Sequence, residues 1–351
     1  MNKPNFFIVG ASKSGTTSLW KYLKEHPNVF MPADELYKEP GYFSTYGEQM
    51  GIRNYLGIFG EATENYHLVG DASTAYLTDP VSAQRIYDFY SKAKIIIMLR
   101  NPADRGFSLY NWMAQDGYEY ASSFEEALDL EEQRYLKKIP NWFEPQYYWN
   151  YMYFRSGLYY EQVKRYLDLF HDNVLILKFD DFKKDTPVTY SRICSFLKIE
   201  PNEIPFETHN PSKAVVSPKI QFILRHLNNF LLDIRQTPIT STELENKVII
   251  NYHFCFKKLS EVTTFTLHEE DIGRSILDKL ISTLMRNKSF VELKEINTKA
   301  QRDTLLELGL KAEKPHPLDI QLKYMLLQKY KTDIEHVSAL TKTDFTNWLI
   351  S

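Results

Sequence analysis

Three short stretches of the chain are apolar at nearly every position instead of at every second one: Phe6-Phe7-Ile8-Val9, Ala93 to Leu99 (AKIIIML) and Asn173 to Phe179 (NVLILKF). Unbroken apolar runs of this length mark strands covered on both faces. A fourth run, Leu68 to Ser73, starts apolar and ends polar. Between the strands the spacing changes to three and four residues. A helix begins at Thr16-Thr17-Ser18 with Leu19, Tyr22 and Leu23 on one face, and Asp79-Pro80 opens another that runs to Tyr90. Further helices are predicted from Pro102 to about Gln115, over Ser123–Leu136, over Gly157–Phe170 and over Pro187–Leu197. Ser122 or Ser123 caps the second of these, with Glu126 as capping-box partner. Strands alternating with helices predict an α/β fold whose central parallel sheet carries helices on both faces.

The pattern changes from about Thr237 to His316. Strand signals weaken and charged helices such as Asp271–Met285 and Thr298–Leu308 dominate. This stretch reads as a helical insertion, residues 237–316, within one domain spanning 1–351. Tyr330 to Leu349 predicts two short closing helices. There is no internal repeat and no low-complexity tract.

Bulk composition narrows the function classes. The 42 basic and 45 acidic side chains nearly cancel, which argues against a broad nucleic-acid or anionic-membrane surface. Any anion site must therefore be local. Cys194 and Cys255 are the only cysteines, too few for a disulfide framework or a zinc cluster, and Cys194 lies on an apolar helix face as a small hydrophobe. No run of about eighteen apolar residues occurs. With the first strand starting at about Asn5, the expectation is a cytoplasmic protein without a membrane anchor.

The candidate chemistry centres on Asn5 to Tyr22, NFFIVGASKSGTTSLWKY. A strand, a glycine-containing turn and a helix start present free backbone N–H groups and a positive helix end to an anion. Gly10 and Gly15 have the spacing of a nucleotide-binding P-loop, but Thr16 stands where that motif needs its lysine, and the lysine comes early, at Lys13. That change suits a shorter anion held without metal. The bland alternative is a tight turn whose Thr or Ser merely caps the helix. Arg100 is the second informative position: the strand IIIML ends in a cation where a magnesium-binding site would place an acid. The helix from Pro102 adds Arg105 and Ser108, so a guanidinium, a hydroxyl and helix-start amides can meet a second phosphate-like group. The alternative there is an Arg100–Asp104 ion pair. Ligands of such sheets bind at the carboxyl ends of the strands, which puts Lys13, Asp71 and Arg100 on one rim.

GASKSGTTSLW, HPNVFMPADELYKEPGYF, GDASTAYL and MLRNPADRGFSLYNWM, in this order, resemble the sulfotransferases that use 3′-phosphoadenosine-5′-phosphosulfate (PAPS), in particular the heparan-sulfate-type and related bacterial enzymes. RSGLYYEQVKRYLDLF, VLILKFDDFKKD with FLKI, and the closing DFTNWL extend the resemblance over about residues 5–235 and 320–350. It implies a P-loop-type three-layer fold and no metal. It further implies that Lys13, Ser14, Gly15, Thr16, Thr17 and Ser18 hold the 5′-phosphate and sulfonate end of PAPS. Lys13 would neutralise the bridging oxygen as its bond to sulfur breaks, while Arg100 and Ser108 would bind the 3′-phosphate. Gly157 and Tyr159 match a GxY pattern beside the cofactor, and Asn210 to Lys213 fall where relatives close a loop over the nucleotide.

The acceptor, a small molecule, glycan or glycolipid, needs a base for its hydroxyl or, less readily, its nitrogen. The resemblance maps that base onto Glu39, but the histidine expected two residues later is Gly41 and the later aspartate is Ser44; the bland alternative for Glu39 is an exposed carboxylate paired with Lys38 or Lys24. Asp71 is the rival base, with His67 and His209 weaker candidates. The aromatic stretch Trp142 to Tyr153 is either an acceptor platform or core packing. A P-loop kinase or nucleotide hydrolase, and a non-catalytic adenylate-binding module, are the alternatives to transfer.

Overall fold

The computed structural model describes residues 3–34, 37–45, 47–136, 147–205, 217–234, 241–261, 263–286 and 317–350. Five strands form one parallel sheet: β1 (Phe6–Gly10), β2 (Val29–Phe30), β3 (Leu68–Asp71), β4 (Lys94–Leu99) and β5 (Val174–Lys178), in the order β2-β3-β1-β4-β5. Parallel neighbours need crossovers, and helices supply them. In chain order these are α1 (Thr16–Lys24), α2 (Ile52–Gly57), α3 (Ala75–Thr78), α4 (Ser82–Phe89), α5 (Pro102–Gln115), α6 (Phe124–Tyr135), α7 (Tyr159–Phe170), α8 (Phe179–Lys184) and α9 (Thr186–Leu197).

The unbroken apolar runs have a direct cause. On one face Phe6, Ile8, Ile96, Met98, Leu175 and Leu177 pack against Leu19, Trp20 and Leu23 of α1 and Ile193, Cys194 and Leu197 of α9. On the other face Phe7 meets Phe43 edge-on at 5.8 Å, and Phe43 meets Tyr55 and Tyr76 at 5.3 and 5.9 Å. Phe6 to Val9 are wholly buried. Each such side chain contributes about 1.5–3 kcal/mol by leaving water, so both faces of β1 select apolar residues.

Two predicted elements differ from expectation. The helix expected from Asp79-Pro80 to Tyr90 is α4, which starts only at Ser82, and an unpredicted short helix, α3, precedes Asp79-Pro80. Asp79 turns the chain by accepting from Val81 N (3.0 Å) on one oxygen and from Thr45 N and Oγ1 (2.8 and 2.7 Å) on the other. At α6 both serines act: Ser123 Oγ accepts from Glu126 N, and Glu126 Oε2 accepts from Ser122 N. The two short closing helices are replaced by one helix of 22 residues, Ile320–Thr341, and a 3₁₀ turn, Thr346–Ile350. Its first turns carry exposed Ile320, Tyr324 and Met325, so the inward stripe Leu326, Leu327, Tyr330, Ile334 and Val337 starts only midway and hides the true beginning. Asp319 caps that beginning, and Lys342, left-handed at φ 55, ends the helix.

The chain divides into two compact units, one of Met1–Leu109, Tyr147–Pro211 and Leu318–Ser351, the other of Tyr110–Gln146 and Ser212–Pro317. The sheet lies in the first. The described residues of the second are helical or irregular, with helices Pro218–Ile234, Ser241–Ser260 and Leu267–Arg286 besides α6. Within that unit Arg134 grips Glu119 with two bonds of 2.7 and 2.8 Å, both side chains fully buried. The helix expected from Asp271 starts earlier, because Thr266 and Glu269 bond each other's backbone N–H groups. Thr298–Leu308 lies outside the described residues. No described helix is long and apolar enough to cross a membrane.

Candidate active site

The loop after β1 is docked on its neighbour by Ala11 N donating to Met98 O (2.8 Å). Lys13 (φ 65) and Gly15 (φ 82) are both left-handed. For lysine that conformation costs about 1–2 kcal/mol, and strain of this kind collects at functional loops. Gly15 caps α1, no side chain caps it, and its first turn has no acid. The bland capped-turn alternative therefore does not hold, and the first-turn N–H groups keep their positive end open. Ser14 sharpens the point. It is fully buried and its Oγ has no hydrogen-bond partner, a state that costs about 1–3 kcal/mol unless a ligand completes it. Thr16 is buried and Thr17 and Ser18 are half-buried in the same turn.

Arg100, at the end of β4, joins this loop directly. Its Nη1 donates to Lys13 O (2.9 Å), and its guanidinium lies over the Phe179 ring at 5.1 Å. The same ring backs Gly15, where an added Cβ would come within 2.9 Å of it, so both space and φ demand glycine. Burial lowers the Arg100 pKa against the pull of Asp104, leaving a strongly cationic group. Asp104 is ion-paired with Lys323 (3.2 Å), and the Arg100 guanidinium bonds the Lys13 carbonyl instead of that carboxylate. Ser108 is half-buried one turn further along α5. Arg105 goes elsewhere: it is buried and donates to Tyr153 O and Ser156 Oγ, both at 2.7 Å. Tyr159 Oη donates to Arg100 O (2.9 Å), which gives the GxY tyrosine a role in fixing the strand end.

The two candidate carboxylates have opposite surroundings. Glu39 keeps 38% of its side chain exposed, with Oε1 paired to Lys38 Nζ (2.5 Å) and Oε2 accepting from Thr74 Oγ1 (2.7 Å) and Thr74 N (3.2 Å). Burial pushes its pKa up, but Lys38 and the Thr74 bonds outweigh that and hold it below the usual carboxylate range. Asp71 is wholly buried. Its Oδ1 accepts from Ser73 N and Oγ, and its Oδ2 from the hydroxyls of Tyr55 and Tyr76, at 2.6 to 2.9 Å. Burial outweighs these bonds and raises its pKa to about 6. His67 is exposed at the start of β3, the end of the strand opposite the rim. Lys213 and His209 lie outside the described residues.

Sequence reasoning missed the Thr74 bonds to Glu39 and the backing ring of Phe179, whereas the pairing of an exposed Glu39 with Lys38 was among its readings. An aromatic residue directly after a buried strand, in KFDD, was the available signal for Phe179. Thr74 and Glu39 are 35 positions apart, and no local pattern links them.

The chain is similar to several known proteins. It is 39% identical over 114 residues to the membrane-associated sulfotransferase kil1 of Dictyostelium discoideum, covering 32% of this chain and 23% of that protein. It is 31% identical over 112 residues to the human bifunctional heparan sulfate N-deacetylase/N-sulfotransferase 1, covering 30% of this chain and 12% of the relative. The chain thus matches less than a quarter of the length of these curated relatives. A sulfotransferase of known structure from Alicyclobacillus acidocaldarius is 31% identical, with a TM-score of 0.49, over 71% of this chain and 96% of that one. The sulfotransferase domain family matches residues 3–215, which contain the whole sheet, the Lys13 loop, Arg100 and Glu39. The chain belongs to the sulfotransferase domain family.

Proposed function

We propose that this chain transfers the sulfonyl group of PAPS to a hydroxyl of a small-molecule, glycan or glycolipid acceptor. The observation that carries the reading is the junction of two anion-binding features: the strained Lys13 loop, with its unpartnered Ser14 hydroxyl, and the guanidinium that bonds its carbonyl. A doubly phosphorylated adenosine needs one such feature for each end. Ser14 to Ser18 would hold the 5′-phosphate end through the α1 amides and hydroxyls, and Arg100 with Ser108 the 3′-phosphate. Bound PAPS supplies an activated sulfonyl group on a phosphate leaving group.

The chain's own residues do the rest by position and charge. Lys13 meets negative charge developing at the leaving oxygen. Glu39 takes the acceptor's proton: its lowered pKa keeps it ionised at neutral pH, and the Thr74 bonds aim it. Asp71 holds the floor of the rim instead, since all of its hydrogen-bonding directions are used by Ser73, Tyr55 and Tyr76. Both cysteines are free thiols, which suits a reducing compartment such as the cytoplasm. Titration calorimetry with 3′-phosphoadenosine 5′-phosphate (PAP) and with ATP, each with and without magnesium, tests the reading. Magnesium-independent binding of PAP well above that of ATP is expected. Preference for magnesium–ATP would replace transfer with kinase chemistry, and PAP binding without consumption of PAPS would leave a binding module.

A further inference from the structure

The closing segment, residues 319–350, lies beyond the residues that the family matches, yet its side chains meet the strand end that carries Arg100. Two carboxylates neighbour this arginine. Asp104 stands in the first turn of α5, and Asp180 follows Phe179, over whose ring the guanidinium lies at 5.1 Å. Burial lowers the Arg100 pKa and the charges of Asp104 and Asp180 pull it back up, so both are within electrostatic reach of the guanidinium. Arg100 Nη1 nevertheless donates to Lys13 O (2.9 Å), and each carboxylate is taken by a residue of the closing segment. Lys323 Nζ pairs with Asp104 (3.2 Å), and Trp348 Nε1 donates to Asp180 Oδ2 (2.7 Å). The segment is anchored to the same strand ends. Asp333 accepts from Tyr159 N and Tyr160 N (2.7 and 3.1 Å) at the start of α7, and Tyr159 Oη donates to Arg100 O (2.9 Å). Lys178 Nζ, at the end of β5, donates to Asp344 O (3.0 Å), and the buried rings of Phe345 and Trp348 lie 4.7 Å apart.

We propose that Trp348 and Lys323 are positioning residues for the guanidinium end of the site: by holding the carboxylates of Asp180 and Asp104, they keep Arg100 available to the 3′-phosphate of the nucleotide. This rests on the sulfonyl-transfer reading, which gives Arg100 that phosphate. A guanidinium with a carboxylate in reach forms a charge-assisted pair with it, and an incoming phosphate must then displace an internal anion before it binds. The two holders differ in kind. The indole N–H is a directed donor on a buried ring, whereas the Lys323–Asp104 pair is partly exposed and screened by solvent, so Trp348 has the larger effect. Both act on charge at one end of the ligand. They therefore discriminate nucleotides with a 3′-phosphate from those without one, and are indifferent to the 5′ end.

The test titrates PAP and adenosine 5′-phosphate into the full chain and its variants. Trp348→Phe keeps a ring against Phe345 and Tyr159 and removes the N–H. It should weaken PAP by about three- to tenfold and adenosine 5′-phosphate by less than about twofold. Lys323→Met should weaken PAP by about two- to threefold. Neutralising the released carboxylate should restore PAP affinity in each case: Asp180→Asn in the Trp348→Phe background, Asp104→Asn in the Lys323→Met background. A merely structural role would give no such rescue. The partly exposed Lys323 pair decides alone if Trp348→Phe does not fold. Absence of PAP binding to the unmodified protein would remove the transfer reading and this proposal with it. PAP binding that the variants leave unchanged, equal losses for the two nucleotides, or losses that the asparagine substitutions do not restore overturn this proposal alone.

Discussion

The Lys13–Arg100 side and the Glu39–Asp71 side of the rim are built differently. On the first, the working parts are mostly backbone: two left-handed residues, an uncapped helix start and a carbonyl that receives one guanidinium. Few side chains are needed, and those lie in short contiguous segments. On the second, side chains do the work across long sequence gaps, Glu39 to Thr74, Gly41 to Ser73 and Tyr147, Asp71 to Tyr55. Two carboxylates on that side have their pKa values moved in opposite directions because one sits beside a lysine and the other in a fully enclosed pocket of hydroxyls. Proximity to the rim is therefore a poor guide to which carboxylate reacts. The environment of each decides.

The contrast can be tested in order of expected effect. Lys13→Ala should lower sulfonyl transfer by about 10²–10³-fold, measured as PAP formation, because it removes a charge aimed at the leaving oxygen. Asp71→Asn probes the enclosed carboxylate through stability. Asp71 has a raised native pKa, so its contribution is fully present below the unfolded value of 3.8 and is lost as pH rises through about 6. Urea unfolding should show the stability of the native chain, relative to the variant, falling by about 3 kcal/mol between pH 3.5 and pH 7. A flat difference would mean that Asp71 titrates normally and the enclosure is wrong. Arg100→Ala should weaken PAP by about 10–100-fold while changing adenosine 5′-phosphate far less, since only the former has a 3′-phosphate. Equal losses for both nucleotides would assign the guanidinium to the 5′ end. Thr74→Val should cost about tenfold or less in kcat, and it carries a sign. Removing the Oγ1 bond raises the Glu39 pKa, so the acid limb of the kcat–pH profile should move to higher pH. An unmoved limb would point to another base.

Much of the donor side was legible from residues alone because its signals are local. The glycine pair, the early lysine and a strand ending in arginine each lie within a few positions of one another. The alternative partner for Arg100 was also visible as Asp104, but only the fold brings Lys323, 219 positions away, to take that carboxylate. Arg105 shows the converse error. One turn from Ser108, it is buried and binds Tyr153 and Ser156. The closing helix was misjudged for a similar reason: exposed apolar residues at its start carry no inward stripe.

By itself, then, the order of residues determined the strands, their burial on both faces and the glycine-bounded loop that opens α1, because backbone geometry and solvent exclusion act over short stretches. Tertiary structure decided what those stretches could not: which carboxylate has its pKa lowered and which raised, which arginine bonds the Lys13 carbonyl, and that a phenol 106 positions on fills the space over Gly41. Those outcomes depend on desolvation and on atoms meeting at hydrogen-bond distance, and both exist only once distant segments pack together.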